Sequence, residues 1–114
     1  MGFFSNMFGV GDTGIDKELL KKAEDGDAEA QWSLGFKYYQ GEEVSQNYKK
    51  AFSWYTKSAN QGYSLAQTSL GTSYLYGHGV PQNHEKALEW LIKAAKQGEP
   101  FALVVLQKVY NINQ

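Results

Sequence analysis

His78 and His84 are the side chains in this chain best suited to proton transfer or metal ligation near neutral pH. Neither has a second histidine or a carboxylate converging on it from the same helical face, since Glu85 and Glu89 beside His84 point elsewhere. Asp25, Asp27 and Glu29 cluster where a helix begins, which is where aligned peptide dipoles favour negative charge, so they read as a solvated helix start. No nucleophile elbow, phosphate-binding loop or dinucleotide fingerprint is present, and the glycines of the YGHGV stretch are turn glycines. The chain has no cysteine, which removes thiolate metal sites, disulfides and thiol redox chemistry. The expectation is a protein with no catalytic residue, no cofactor and no metal.

What remains is recognition by shape. Aromatic residues make up 15% of the chain, more than a small core ordinarily needs. Trp32, Phe36 and Tyr39 fall about 140–160° round a helix from Leu34, forming one aromatic stripe with Glu29 and Gln40 at its rim. The formal charge of -1, from 11 basic and 12 acidic side chains, supplies no field for nucleic acid, and none is expected as a partner.

These residues are positioned by a repeat. A shift of 36 positions carries Gly26 onto Gly62, Ala30 onto Ala66, Gln31 onto Gln67, Leu34 onto Leu70, Gly35 onto Gly71 and Tyr38 onto Tyr74. The same shift carries Val44 onto Val80, Asn47 onto Asn83, Ala51 onto Ala87 and Trp54 onto Trp90. A fixed period of this size marks a stacked repeat protein, in which each unit buries its apolar face against its neighbours. The spacing predicts a flexible apolar leader over residues 1–14, disordered or docked through its phenylalanines on the domain or a membrane surface, and a single helical domain over 15–114. Within it fall a helix over 16–25, repeats over 27–62 and 63–98, and a half repeat over 99–114. Ala30, Leu34 and Tyr38 form the inner face of the first long helix, and Tyr48, Ala51, Trp54, Tyr55 and Ser58 that of the second.

The leader combines Phe3, Phe4, Met7, Phe8 and Val10 without lysine or arginine, so it fits neither a secretory signal nor a spanning helix, and a cytoplasmic location is expected. The last helix, from Pro100 to about Ile112, is apolar nearly all round. Leu103, Leu106, Val109 and Tyr110 face the core, and Phe101, Val104, Val105 and Ile112 face away. A helix of that kind expects burial on both sides, which points to a weak homodimer or a partner contact through this end. The alternative is a tilted helix that buries its second face against Leu88, Leu91 and Ile92.

The signature AxxGxxxAQxxLGxxYxxGxGVxQNxxKAxxWxxKAAxQG, at Ala59 to Gly98 and with small departures at Ala23 to Gly62, resembles the Sel-one-like repeat, a relative of the tetratricopeptide hairpin. The resemblance covers about Leu19 to Tyr110. It implies an all-α, right-handed superhelix of helical hairpins whose first helices line a concave surface, serving as an adaptor without catalysis. One departure is Glu43, where the family prefers glycine. On this reading the aromatic stripe meets a protein or peptide partner, unless the leader or the first helix covers it. A dedicated inhibitor or immunity protein of a toxin or enzyme is an alternative of the same class. A hydrolase of cell-wall or antibiotic substrates is the rival class, and it requires converging acid and base groups that the sequence does not supply.

Overall fold

The computed structural model describes residues 14–112, so the leader, apart from Gly14, lies outside the described residues. Six helices and no strand occur among them: α1 Lys17–Glu24, α2 Ala28–Gln40, α3 Tyr48–Asn60, α4 Ser64–Tyr76, α5 His84–Lys96 and α6 Pro100–Tyr110. Their ends are set by local chemistry. Asp27 accepts from the Ala30 amide at 2.8 Å, and Asn47 and Asn83 accept from the Lys50 and Lys86 amides at 3.0 Å, each satisfying a donor that a helix start leaves open. Gly41 and Gly77 close α2 and α4 in the left-handed conformation, at φ 73° and 72°. The last helix stops at Tyr110, short of the expected Ile112, because Asn111 takes up a left-handed cap at φ 55°.

Each helix packs on its sequence neighbour, so α2 pairs with α3 and α4 with α5 as hairpins, and α3 joins the two. The core runs through Leu34, Tyr55, Leu70, Leu91 and Leu106, all buried. Gly35 and Gly71 let the paired helices close up. A methyl group on Gly35 would lie 2.8 Å from the Tyr55 ring, and one on Gly71 2.7 Å from Leu91 Cγ. Trp54 and Trp90 occupy equivalent places, yet each is only half-buried, with the ammonium of Lys57 or Lys93 4.7 Å above its ring. Their positions on the flank of the inner face explain the difference from full burial.

Glu43 departs from the repeat, and the backbone shows the consequence. It adopts φ 67°, matching Gly79 at 84° in the second turn, and its carboxylate pairs with Lys37 Nζ at 2.6 Å.

Candidate functional site

The first helices of the three units, α2, α4 and α6, share one face. On α4 that face presents Leu65, Thr68, Ser69 and Thr72, at the i, i+3, i+4, i+7 spacing of a helical stripe. One period back lie Glu29, Trp32, Ser33 and Phe36; one period on lie Phe101, Val104, Val105 and Lys108. Large side chains therefore flank a middle helix that carries mostly small hydroxyl residues. The result is a trough of about 520 Å³ whose floor is Leu65, Thr68, Ser69 and Thr72, with Trp32 and Phe36 as one wall and Phe101 and Val105 as the other.

The Trp32 wall is built firmly. Its indole N–H donates to Ser69 Oγ at 3.0 Å, tying α2 to α4, and its ring stacks on Phe36 with centroids 5.4 Å apart and planes 21° from parallel. Phe36 remains 37% exposed and Phe101 66%, so both walls present open apolar surface. The floor hydroxyls have partners inside the protein: Thr72 Oγ1 donates to the Ser69 carbonyl at 2.9 Å, and Thr68 donates to the carboxylate of Glu99. None of the eight lining residues ionises near neutral pH.

Glu99 stands just behind this floor, 5% exposed. It caps α6 by accepting from the Ala102 and Phe101 amides at 3.0 and 3.2 Å, as well as from Thr68. A threonine hydroxyl on a buried carboxylate superficially suggests an activated nucleophile. Here the carboxylate already serves two amides, and no histidine or second carboxylate lines the trough to complete acid–base chemistry.

The structure separates Tyr39 from Trp32 and Phe36. Its hydroxyl lies 2.9 Å from His78 Nδ1, and the His78 ring stacks on Tyr48 at 4.3 Å, so Tyr39 belongs to an aromatic cluster between the first and second turns. Burial pushes the Tyr39 phenol up. Glu29 lies in a different place again, a small polar cleft of about 160 Å³ shared with Lys22 and Asp27. Gln40 is exposed at the end of α2 and does not line the trough. Of the residues singled out on the last helix, Phe101 and Val105 line the trough beside Trp32 and Phe36. Val105 and Ile112 also pack against the core around Leu91 and Leu106, whereas Val104 is 46% exposed. Val109, assigned to the core face, is instead 47% exposed, because the core presses on α6 mainly through Ala102 and Leu106.

Leu65, Thr68, Ser69 and Thr72 are trough residues that comparison of single positions did not bring out. The signal was available in the large–small–large sequence of side chains across three aligned first helices. The other histidine, His84, is exposed at the start of α5, with Nδ1 2.8 Å from the Tyr110 hydroxyl. Among the described residues, no group of three or more His, Cys, Asp or Glu side chains is placed to hold a metal ion. No helix among them is long and apolar enough to cross a membrane.

Comparison with known proteins agrees with this architecture. The Sel1 repeat family model matches residues 28–63 and 64–99. The secretory immunoglobulin A-binding protein EsiB of Escherichia coli is 41% identical over 42 residues, which are 37% of this chain and 9% of EsiB. A Sel1 repeat protein from Oxalobacter formigenes superposes with a TM-score of 0.77 at 38% identity, over 80% of this chain and 26% of that one. A protective antigen of uropathogenic E. coli with an SLR fold gives 0.75 at 38% identity, over 82% of this chain and 21% of the antigen. Helicobacter pylori cysteine rich protein B gives 0.72 at 26% identity, over 90% of this chain and 81% of that one. The chain thus spans about a tenth of the curated relative, and a quarter or less of the antigen.

Proposed function

The chain belongs to the Sel1 repeat family, and on that premise we propose that it is a non-enzymatic interaction module whose trough across α2, α4 and α6 takes an apolar segment of a protein partner. Sel1 repeats generally mediate protein–protein interaction and typically act as scaffolds without catalysis. The observation that carries the reading is the trough itself: two aromatic-bearing walls over a floor whose hydroxyls have partners within the protein. A segment entering it gains by burying aromatic and aliphatic anchors, at roughly 25 cal/mol per Å² of apolar surface, while charge would be desolvated without compensation. That one relative is named for binding an immunoglobulin supports a protein as the class of ligand. On this reading Glu29 and Gln40, exposed outside the trough, meet polar parts of a longer partner.

Selection from a random peptide library tests this. Peptides with uncharged aromatic or aliphatic anchors should be enriched, and Phe36→Glu should weaken them at least about tenfold, or 1.4 kcal/mol, with the helical circular dichroism signal intact. Selected peptides that bind Phe36→Glu as well as the parent protein would rule the trough out. An inhibitor or immunity role would use the same surface with a single cognate partner. A hydrolase role has no support in a lining without an acid or a base.

A further inference from the structure

We propose that the trough is occupied, when no partner is bound, by the chain's own leader, with Phe3, Phe4, Met7 and Phe8 supplying the anchors. This rests on the reading of the trough as an apolar docking site. Two observations carry it beyond that reading.

The first is where the described chain begins. Gly14 lies against the Glu43 carbonyl, so closely that a side chain there would collide with it. Glu43 sits in the turn just past the end of α2, the helix that bears the Trp32 and Phe36 wall. Phe36 stands five residues before Gly41, about 7.5 Å along the helix axis. Phe8 lies six positions before Gly14, an extended reach of about 20 Å, and the 13 residues before Gly14 reach about 43 Å. Both lengths exceed the axial distance to Phe36, so the tether reaches the near wall of the trough.

The second is charge. The trough lining holds no ionisable side chain, and from Met1 to Gly11 the leader has no Asp, Glu, Lys or Arg, while it holds three phenylalanines. An aromatic segment without charged side chains matches an aromatic-walled trough without charged side chains. Tethering makes the contact intramolecular, at an effective concentration in the millimolar range for a short flexible linker, so weak anchors suffice. An external partner would then bind by displacing the leader, and its apparent affinity would fall by the fraction of chains in which the trough is filled.

The chain has no cysteine and three tryptophans, one on α2 in the trough and two on the second helices α3 and α5. A nitroxide on Ser5→Cys therefore has one unique attachment point and three indole N–H reporters. The expected result is loss of the Trp32 indole signal and of the Thr72 and Val105 methyl signals, restored when the nitroxide is reduced, with Trp54 and Trp90 unaffected. The loss should not change on dilution and should disappear in Phe4→Ser/Phe8→Ser, neither of which touches the helical domain's described core. Equal effects on all three indoles, or none on Trp32, would overturn the inference. So would broadening that passes from tagged to isotope-labelled untagged molecules in a mixture, since the occupant would then be a second copy. If the leader fails this test while Phe36→Glu still abolishes peptide binding, the trough stands as a partner site and only the internal occupant falls.

Discussion

The side-chain amide of Gln97 donates to Oε1 of Gln67 at 2.9 Å, and from the same nitrogen to the Gly62 carbonyl at 2.9 Å. One period earlier Gln61 makes the same two bonds, to Gln31 Oε1 at 2.9 Å and to the Gly26 carbonyl at 2.8 Å. Each bridge ties together the two helices of one hairpin and satisfies a carbonyl just past the end of the helix before it, where the helical ladder supplies no donor. Gln97→Ala leaves the buried acceptor of Gln67 without this donor, and we expect a cost of about 1–3 kcal/mol in urea denaturation. Gln67→Leu should cost a similar amount. Because both changes remove one bridge, the double variant should lose clearly less than the sum of the two. Additive losses would show that the glutamines do not act as a pair.

Gly35→Ala and Gly71→Ala set helix propensity against packing. Propensity alone predicts a gain of about 1 kcal/mol from each. The new methyl, however, meets the ring of Tyr55 or Cγ of Leu91 at under 3 Å, and both neighbours are fully buried. Overpacking of this kind costs about 1–3 kcal/mol, so the net expectation is destabilisation by up to about 2 kcal/mol. A raised denaturation midpoint in either variant would mean that the hairpins spread apart freely at these positions.

Glu43 separates backbone strain from ion pairing. Its left-handed backbone costs a side-chain-bearing residue about 1–2 kcal/mol, and the partly exposed Lys37 pair returns at most about 1 kcal/mol. Glu43→Ala retains the strain and loses the pair, so it should destabilise by about 0.5–1 kcal/mol. Glu43→Gly loses both but gives the unfolded chain more freedom, which leaves it near the parent protein and about 1 kcal/mol more stable than the alanine variant. Thermal denaturation of the pair checks the order. Equal stabilities would mean that the turn relaxes out of the left-handed region in solution.

How much of this was legible in sequence follows from the range of each interaction. Asp27, Asn47 and Asn83 cap helices through bonds to residues three positions on, so their roles are written locally. Gly41 and Gly77 likewise announce left-handed caps. The trough is not local in this sense. Its walls come from residues some seventy positions apart, and Thr68 and Thr72, which as isolated counterparts of Trp32 and Phe36 suggest that the stripe simply ends, turn out to form the floor between two walls. Tyr39 falls out of the stripe because the His78 turn of the next unit offers its hydroxyl a partner and its ring a tilted contact, neither of which helical angle alone reveals.

The last helix bears on assembly. Phe101, Val104 and Val109 remain exposed, whereas Val105 and Ile112 already pack on the chain's own core. Covering three half-exposed side chains gains roughly 2–5 kcal/mol per copy, or about 5–10 kcal/mol for two copies, taking full burial of each side chain as about 1.5–3 kcal/mol, and association costs about 4–15 kcal/mol. Exposed Lys108, about 20° round the helix from Phe101 and 40° from Val104, adds a charge to desolvate between them. We therefore expect a monomer in sedimentation at micromolar concentration, with any homodimer confined to the millimolar range. Val104→Glu should leave both mass and melting temperature nearly unchanged. Val105→Glu, which buries a carboxylate against Leu91 and Leu106, should lower the melting temperature at unchanged mass. A micromolar dimer that Val104→Glu dissociates would instead make this ridge an interface between copies.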